Sequence, residues 1–190
     1  QESVEIRKYN IIYKCVEEIQ QAMEAVDKAY AGMQSIAERL TALRQKSAEM
    51  VQQQVLPILA DLGMKEARLE ARVEPTSDYK SSGCDRVTFL FNANRGGEMR
   101  EIGKVASGGE LSRLMLALKS LTARESLLPT IIFDEIDTGV SGHIAERMAL
   151  IMKEMGEEHG RQVISITHLP QIAAMGKNHY RVYKEASSIV

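Results

Sequence analysis

The chain has 190 residues, 44% of them hydrophobic and 26% charged, and reads as a soluble folded chain of one domain, or of a smaller one carrying an extension. Aromatics make up 5% with no Trp, against 10 Met, which suits helix-rich packing better than an aromatic-rich β-sandwich. The net charge of −2 supplies no basic footprint for nucleic acid, so any DNA contact must be argued from elsewhere.

The first residues, "QESVEIRKYN", lack the apolar core of a signal peptide. The start without Met and the end on "SSIV" suggest a piece of a longer protein. From Tyr9 the apolar positions run Ile12, Val16, Ile19, Met23, Val26, Tyr30, Met33, Ala37 and Leu40, in steps alternating between three and four. That alternation is the a/d seam of a coiled coil. Beyond Leu40 the seam lands on Arg44 and Ser47, so pairing is expected to loosen there. The helical signal continues to about Leu56, and Pro57 marks a kink or an end. A helix of about 50 residues would extend roughly 75 Å, too long for a single amphipathic helix lying on a small core.

Near Gly63 the pattern changes. "EARLEARVE" alternates and "DRVTFLFNAN" is rich in β-branched and aromatic residues, so both predict strands, with "PTSDYKSSG" as a polar turn or loop between them. After the loop at Arg95-Gly96-Gly97 the chain takes an α/β form. The helix "SGGELSRLMLALKSL" carries Leu111, Leu114, Met115 and Leu118 as its apolar stripe, and the strand "TIIFD" follows. A second helix, with Ile144, Met148, Ile151 and Met155 on one face, leads to the strand "QVISIT" and then to the strand-like "HYRVYKE". Strands alternating with helices imply a parallel or mixed sheet. Residues 1–60 are expected to form a coiled-coil helical segment and 61–190 the α/β lobe. Cys15 and Cys84 form no C-x-x-C pair, which argues against a zinc site or disulfide framework and for a reducing compartment. No stretch approaches the length of a membrane span, and the expected location is cytoplasmic.

The chemistry concentrates in three places. Asp134 and Glu135 end the apolar strand "IIFDE", where ligands of open α/β sheets bind. Asp134 is placed to hold magnesium, directly or through water, and Glu135 to orient or deprotonate a water, while the two acids by themselves fit a solvated loop equally well. In "ASGGELSR", Ser107 is a good N-cap and, with Glu110, fits a capping box. Gly108 and Gly109 each cost the helix about 1 kcal/mol, and close approach by a phosphate is the reading that accounts for them. His168 directly follows the strand "VISIT" and precedes Pro170, which can start a short helix. His143, His159 and His179 have no such setting and are assigned to surface or packing. No phosphate-cradling G-x-x-x-x-G-K-[ST] loop is found. The nearest stretch, ending in Gly103-Lys104, has Glu98 in place of the first glycine and Val105 in place of the hydroxyl.

These pieces in this order resemble the ATP-binding-cassette ATPases: signature "SGGE", acidic strand "IIFDE", D-loop region "IDTGVSG" and switch histidine in "ITHLP". The match is closer to the branch with the SMC proteins and, within it, to the bacterial RecN family of DNA repair proteins, strongly over residues 100–176. The resemblance implies the carboxyl-terminal lobe of an ATPase head, α/β with a parallel or mixed sheet, preceded by a long coiled-coil helix. It implies that the phosphate loop lies in an amino-terminal segment, and that two heads sandwich ATP and Mg2+. Asp134 would then serve magnesium, Glu135 the attacking water and His168 the γ-phosphate. Ser107, Gly108, Gly109 and Glu110 would face the nucleotide of the opposing head.

The implied activity is ATP hydrolysis in double-strand break repair and recombination, with the fragment inactive alone. The implied partners are the amino-terminal half, a second copy and, in the full assembly, DNA, with association with the nucleoid. Without its other half, such a lobe is expected to expose apolar sheet surface or an unpaired strand edge. Ser141 stands where transporter-type members end the D-loop in Asp, and N-capping the next helix is the role left for it. Two rivals stand beside this. A helicase would use "DEID" as a D-E-x-D box but leaves "SGGELSR" unexplained. A coiled-coil adaptor explains the heptads but not the clustered acids, glycines and histidine.

Overall fold

The structure is a computed structural model and describes residues 2–104, 107–123, 128–157 and 160–183. Val105, His159 and the end of "HYRVYKE" lie outside the described residues. In order, the elements are α1 (Glu2–Asp61), β1 (Arg68–Lys80), β2 (Gly83–Asn92), β3 (Arg100–Glu101), a 3-10 turn (Ile102–Lys104), α2 (Gly108–Ala123), β4 (Thr130–Asp134), α3 (Gly142–Glu157), β5 (Gln162–Ile166) and α4 (Pro170–Ala173). One sheet has the order β1-β2-β3, with β3 antiparallel to β2, and β4 and β5 form a second, parallel pair. The chain divides into two compact units, residues 1–47 with 73–87 and residues 48–72 with 88–190.

In the first unit the heptad positions from Tyr9 to Met33 are exposed, and burial begins at Ala37. There the helix meets the tip of the β1-β2 hairpin. Asp85 accepts hydrogen bonds from Thr41 Oγ1 at 2.7 Å and Arg44 Nη1 at 2.8 Å, while Arg44 Nη2 donates to the Ser82 carbonyl at 2.6 Å. The Tyr30 and Tyr79 rings meet edge to face at 5.9 Å. The seam therefore gives way after Leu40 because Thr41 and Arg44 serve the chain's own hairpin. That hairpin corrects the extent of the expected polar turn or loop. β1 continues through "PTSDYK" to Lys80, and only Ser81 and Ser82 separate it from β2. Pro75 is tolerated because β1 is an edge strand, and Thr76 Oγ1 reaches the Cys84 carbonyl at 2.8 Å.

In the second unit α1 runs through Pro57 and stops at Asp61. Val55, Leu59 and Leu62 are fully buried, and this packing carries the helix across the donor that proline lacks. What ends it is Gly63. Its φ of +82° places it in the left-handed region, its N–H bonds Ala60 O, and Met64 N–H bonds Leu59 O at 2.8 Å, the paired closure of a Schellman motif. Arg147 of α3 holds Asp61 at 2.7 Å.

α2 lies between two apolar clusters, with Leu114 and Ala117 in one and Leu116 and Ala123 in the other. Burial on two sides explains why its buried set differs from the single predicted stripe and why Met115 stays exposed. α3 buries Met148, Ile151 and Met155 as predicted, and adds Ala145, Ala149 and Met152. Across β4 and β5 the alternation turns Phe133 inward and leaves Ile132, Ile164 and Ile166 exposed on the other face. Residues 179–183 form no strand, and Tyr180 and Val182 are more than nine-tenths exposed. Their β-branched and aromatic character finds no partner strand among the described residues. No described helix is long and apolar enough to cross a membrane.

Candidate functional site

The site begins with the register of β4 on β5. Asp134 pairs with Ile166, so both strands finish level and their carboxyl ends open in one place. Phe133 anchors β4 in the core, and by alternation Asp134 points out. Glu135 then leaves the strand with φ +47°, the only non-glycine residue with positive φ among the described residues. Such a conformation is costly for a glutamate and persists only where its surroundings impose it. They do so here through hydrogen bonds. Glu135 N–H donates to the Ile166 carbonyl at 3.1 Å, and the Glu135 carbonyl accepts from Thr138 N–H at 3.3 Å and Thr138 Oγ1 at 2.9 Å. The backbone is held at both ends while the Asp134 and Glu135 side chains stay exposed.

The chain then turns inward, burying Ile136, Asp137 and Val140. Asp137 is 0% exposed, and its Oδ2 accepts a hydrogen bond from Thr167 Oγ1 at 2.5 Å. Thr167 follows β5, and next to it His168 brings Nδ1 to 3.6 Å from the same Asp137 oxygen, with its side chain 70% exposed. Pro170 starts the short helix α4, as its place in the sequence predicts. The acids and the histidine are thus joined through the β4-β5 end, with Asp137 between them. Sequence reasoning missed Asp137 and Thr167.

The start of α2 comes to the same loop from another side. Glu110 N–H lies 3.5 Å from Ser107 Oγ, a long cap bond, and Leu111 N–H donates to the Ser107 carbonyl at 3.1 Å. The two glycines differ. A Cβ on Gly108 would meet nothing within 4 Å, whereas one on Gly109 would stand 3.0 Å from the Thr138 carbonyl oxygen. Gly109 therefore has a packing reason that sequence did not reveal, while Gly108 keeps the open space that approach by an anion requires. Glu110 is half-buried.

The remaining residues are less involved. Lys104 pairs with Glu101 at 3.2 Å, and Gly103 sits in a 3-10 turn, away from any strand-to-helix phosphate loop. Ser141 is exposed and directly precedes α3. His143 is exposed and His179 contacts the Gly176 carbonyl at 3.1 Å. No three His, Cys, Asp or Glu side chains gather among the described residues.

No protein-family model matches the chain. The DNA repair protein RecN of Haemophilus influenzae is 38% identical over 163 residues, 85% of this chain and 29% of that protein. RecN of Vibrio cholerae is 35% identical over 92% of this chain and 31% of its own length, and RecN of Bacillus subtilis is 48% identical over 103 residues. The chain thus spans about three tenths of the length of the first two relatives. Among solved structures, the Smc head domain of Pyrococcus furiosus, with an extended coiled coil and bound to the C-terminal domain of ScpA, superposes with a TM-score of 0.55 at 20% identity. That likeness covers 75% of this chain and 34% of that one. An SMC ATPase from work on ATP-driven dimerization gives 0.51 at 21% identity, over 76% and 83%. At these identities the likeness shows the fold, an SMC-type head.

Proposed function

The chain belongs to the RecN family, and from that premise we propose that it is the carboxyl-terminal half of an SMC-like ATPase head acting in DNA double-strand break repair and recombination. Residues 1–60 would be the returning helix of a coiled coil and 61–190 the half-head. The family implies nucleotide binding, and we take the nucleotide to be ATP with Mg2+. The observation that carries this reading is the strained Glu135, fixed by the β5 backbone and by Thr138 at the open end of the parallel pair.

Each residue's part follows from its place. The exposed Asp134 carboxylate would hold Mg2+, which when bound offsets phosphate charge. Glu135 would orient the attacking water and accept its proton, and its fixed backbone limits where the carboxylate can reach. His168, beyond β5, would meet the γ-phosphate. Ser107, Gly108, Gly109 and Glu110 would face a nucleotide held by the opposing head, with Gly108 giving way to the phosphate and the helix start supplying N–H donors. The phosphate loop would come from the amino-terminal half, and the exposed face of Ile132, Ile164 and Ile166 supports a further layer of protein there. The remaining partners would be a second copy and, in the assembled protein, DNA, in the cytoplasm at the nucleoid.

The test is Glu135→Gln in the full-length protein. Hydrolysis should fall about 100-fold or more while nucleotide binding survives. Near-normal turnover would remove Glu135 from the mechanism.

A further inference from the structure

We infer that Asp137 and Thr167 form a buried clamp that positions His168, fixing both the backbone that carries it and the nitrogen that carries its proton. The inference rests on the role proposed above for His168. Burying a carboxylate as completely as Asp137 is costly unless it is well partnered. One hydroxyl is a thin compensation. Oδ2 has Thr167, Oδ1 has no hydrogen-bond partner, and no Lys or Arg pairs with Asp137 among the described residues. Among the described residues, the group of opposite potential charge beside it is the His168 ring.

The clamp has two arms. In the first, the Thr167 hydroxyl is used twice: it donates to Asp137 and accepts from Leu169 N–H at 3.0 Å. The residues on either side of His168 are therefore tied to one oxygen, and that oxygen is tied to the core. The second arm is electrostatic. At 3.6 Å the contact between Asp137 and Nδ1 is too long for a hydrogen bond, as contacts in ligand-free sites often are before a ligand tightens them. A carboxylate at that distance still favours a proton on Nδ1 and leaves Nε2, the other ring nitrogen, to meet a ligand. An unperturbed neutral imidazole favours the opposite tautomer. Asp137 and Thr167 thus act through His168 and need not touch the nucleotide.

The test reads the ring directly. The chain is labelled with 15N-histidine, His168 is assigned by its loss in His168→Gln, and ring shifts are recorded at alkaline pH, where imidazole is neutral. His168 should be Nδ1-protonated. His179 is an internal contrast, because its Nε2 faces the Gly176 carbonyl and should carry the proton. Asp137→Asn should abolish the His168 preference. Thr167→Val should speed exchange of the Leu169 amide, and Thr167→Ser should restore its protection. A wild-type His168 protonated on Nε2, or a tautomer unchanged in folded Asp137→Asn, would overturn the inference. Should Asp137→Asn not fold, the comparison of Val with Ser at position 167 decides, and equal exchange in the two would overturn it. In the full-length protein Asp137→Asn should lower kcat roughly 10- to 100-fold with KM for nucleotide little changed, the size found for residues that orient a functional ligand. The ring measurement needs no turnover, so its failure is separable from failure of the ATPase reading.

Discussion

The two glycines at the start of α2 allow phosphate approach to be separated from packing. Gly108→Ala places a methyl group in open space and removes a poor helix former, so the fold should gain up to about 1 kcal/mol. Gly109→Ala gains the same propensity but drives its Cβ to 3.0 Å from the Thr138 carbonyl oxygen. That oxygen belongs to backbone and cannot swing away as a side-chain end could. Residue 138 is tied twice to the Glu135 carbonyl, and Val140 N–H bonds Asp137 O at 3.2 Å. Overpacking of this kind costs about 1–3 kcal/mol. The two variants should therefore differ by about 1–3 kcal/mol, with Gly109→Ala the less stable. Urea unfolding followed by circular dichroism reads the difference as midpoints separated by about 1 M at ordinary m-values. Equal midpoints, or a more stable Gly109→Ala, would refute the packing argument and return both glycines to a single explanation.

Two further outcomes follow from particular contacts. At Gly63 an alanine would combine φ +82° with a Cβ 2.7 Å from Ile144 Cδ1, so Gly63→Ala should lose about 1–3 kcal/mol and lower the thermal midpoint; an unchanged midpoint would contradict the Schellman closure. The Thr41 hydroxyl first, and then Arg44, hold the Asp85 carboxyl below the usual carboxylate range. Its contribution is therefore fully present above the ordinary carboxylate pKa and is lost as pH falls through the lowered value. Asp85→Asn should flatten the acid limb of a stability profile measured at the β1-β2 hairpin, and an unaltered limb would count against the ion pair.

The carboxyl end of β4 was legible because an apolar run ending in two acids reads as a strand with its acids at the rim, although the expected burial holds for Phe133 and not for Ile132. His168 was legible for the same reason, standing one residue past the next strand. Asp137 was not. In "DEIDTG" it is a third acid with nothing local to set it apart, and its burial arises only when the loop after β4 folds back beneath residue 167. The packing of Gly109 was not legible because its neighbour across space, Thr138, is distant in sequence. The extension of β1 through "PTSDYK" was hidden by turn-forming residues that an edge strand tolerates. Residues 179–183 misled in the opposite sense, since β propensity reflects packing against neighbouring strands, and Tyr180 and Val182 stand more than nine-tenths exposed.

The central claim is that this chain holds half of an ATPase site, and recombining the halves tests it most directly. The chain is mixed with a separately made amino-terminal half carrying the phosphate loop, and magnesium-dependent phosphate release is measured for each part and for the mixture. Without the lysine and N–H cradle that offset a triphosphate's charge, Asp134 and Glu135 repel the nucleotide, so the chain alone should release no phosphate. The mixture should turn over, and Glu135→Gln should abolish it. Turnover by the chain alone, itself abolished by Glu135→Gln so that contamination is excluded, would contradict the account.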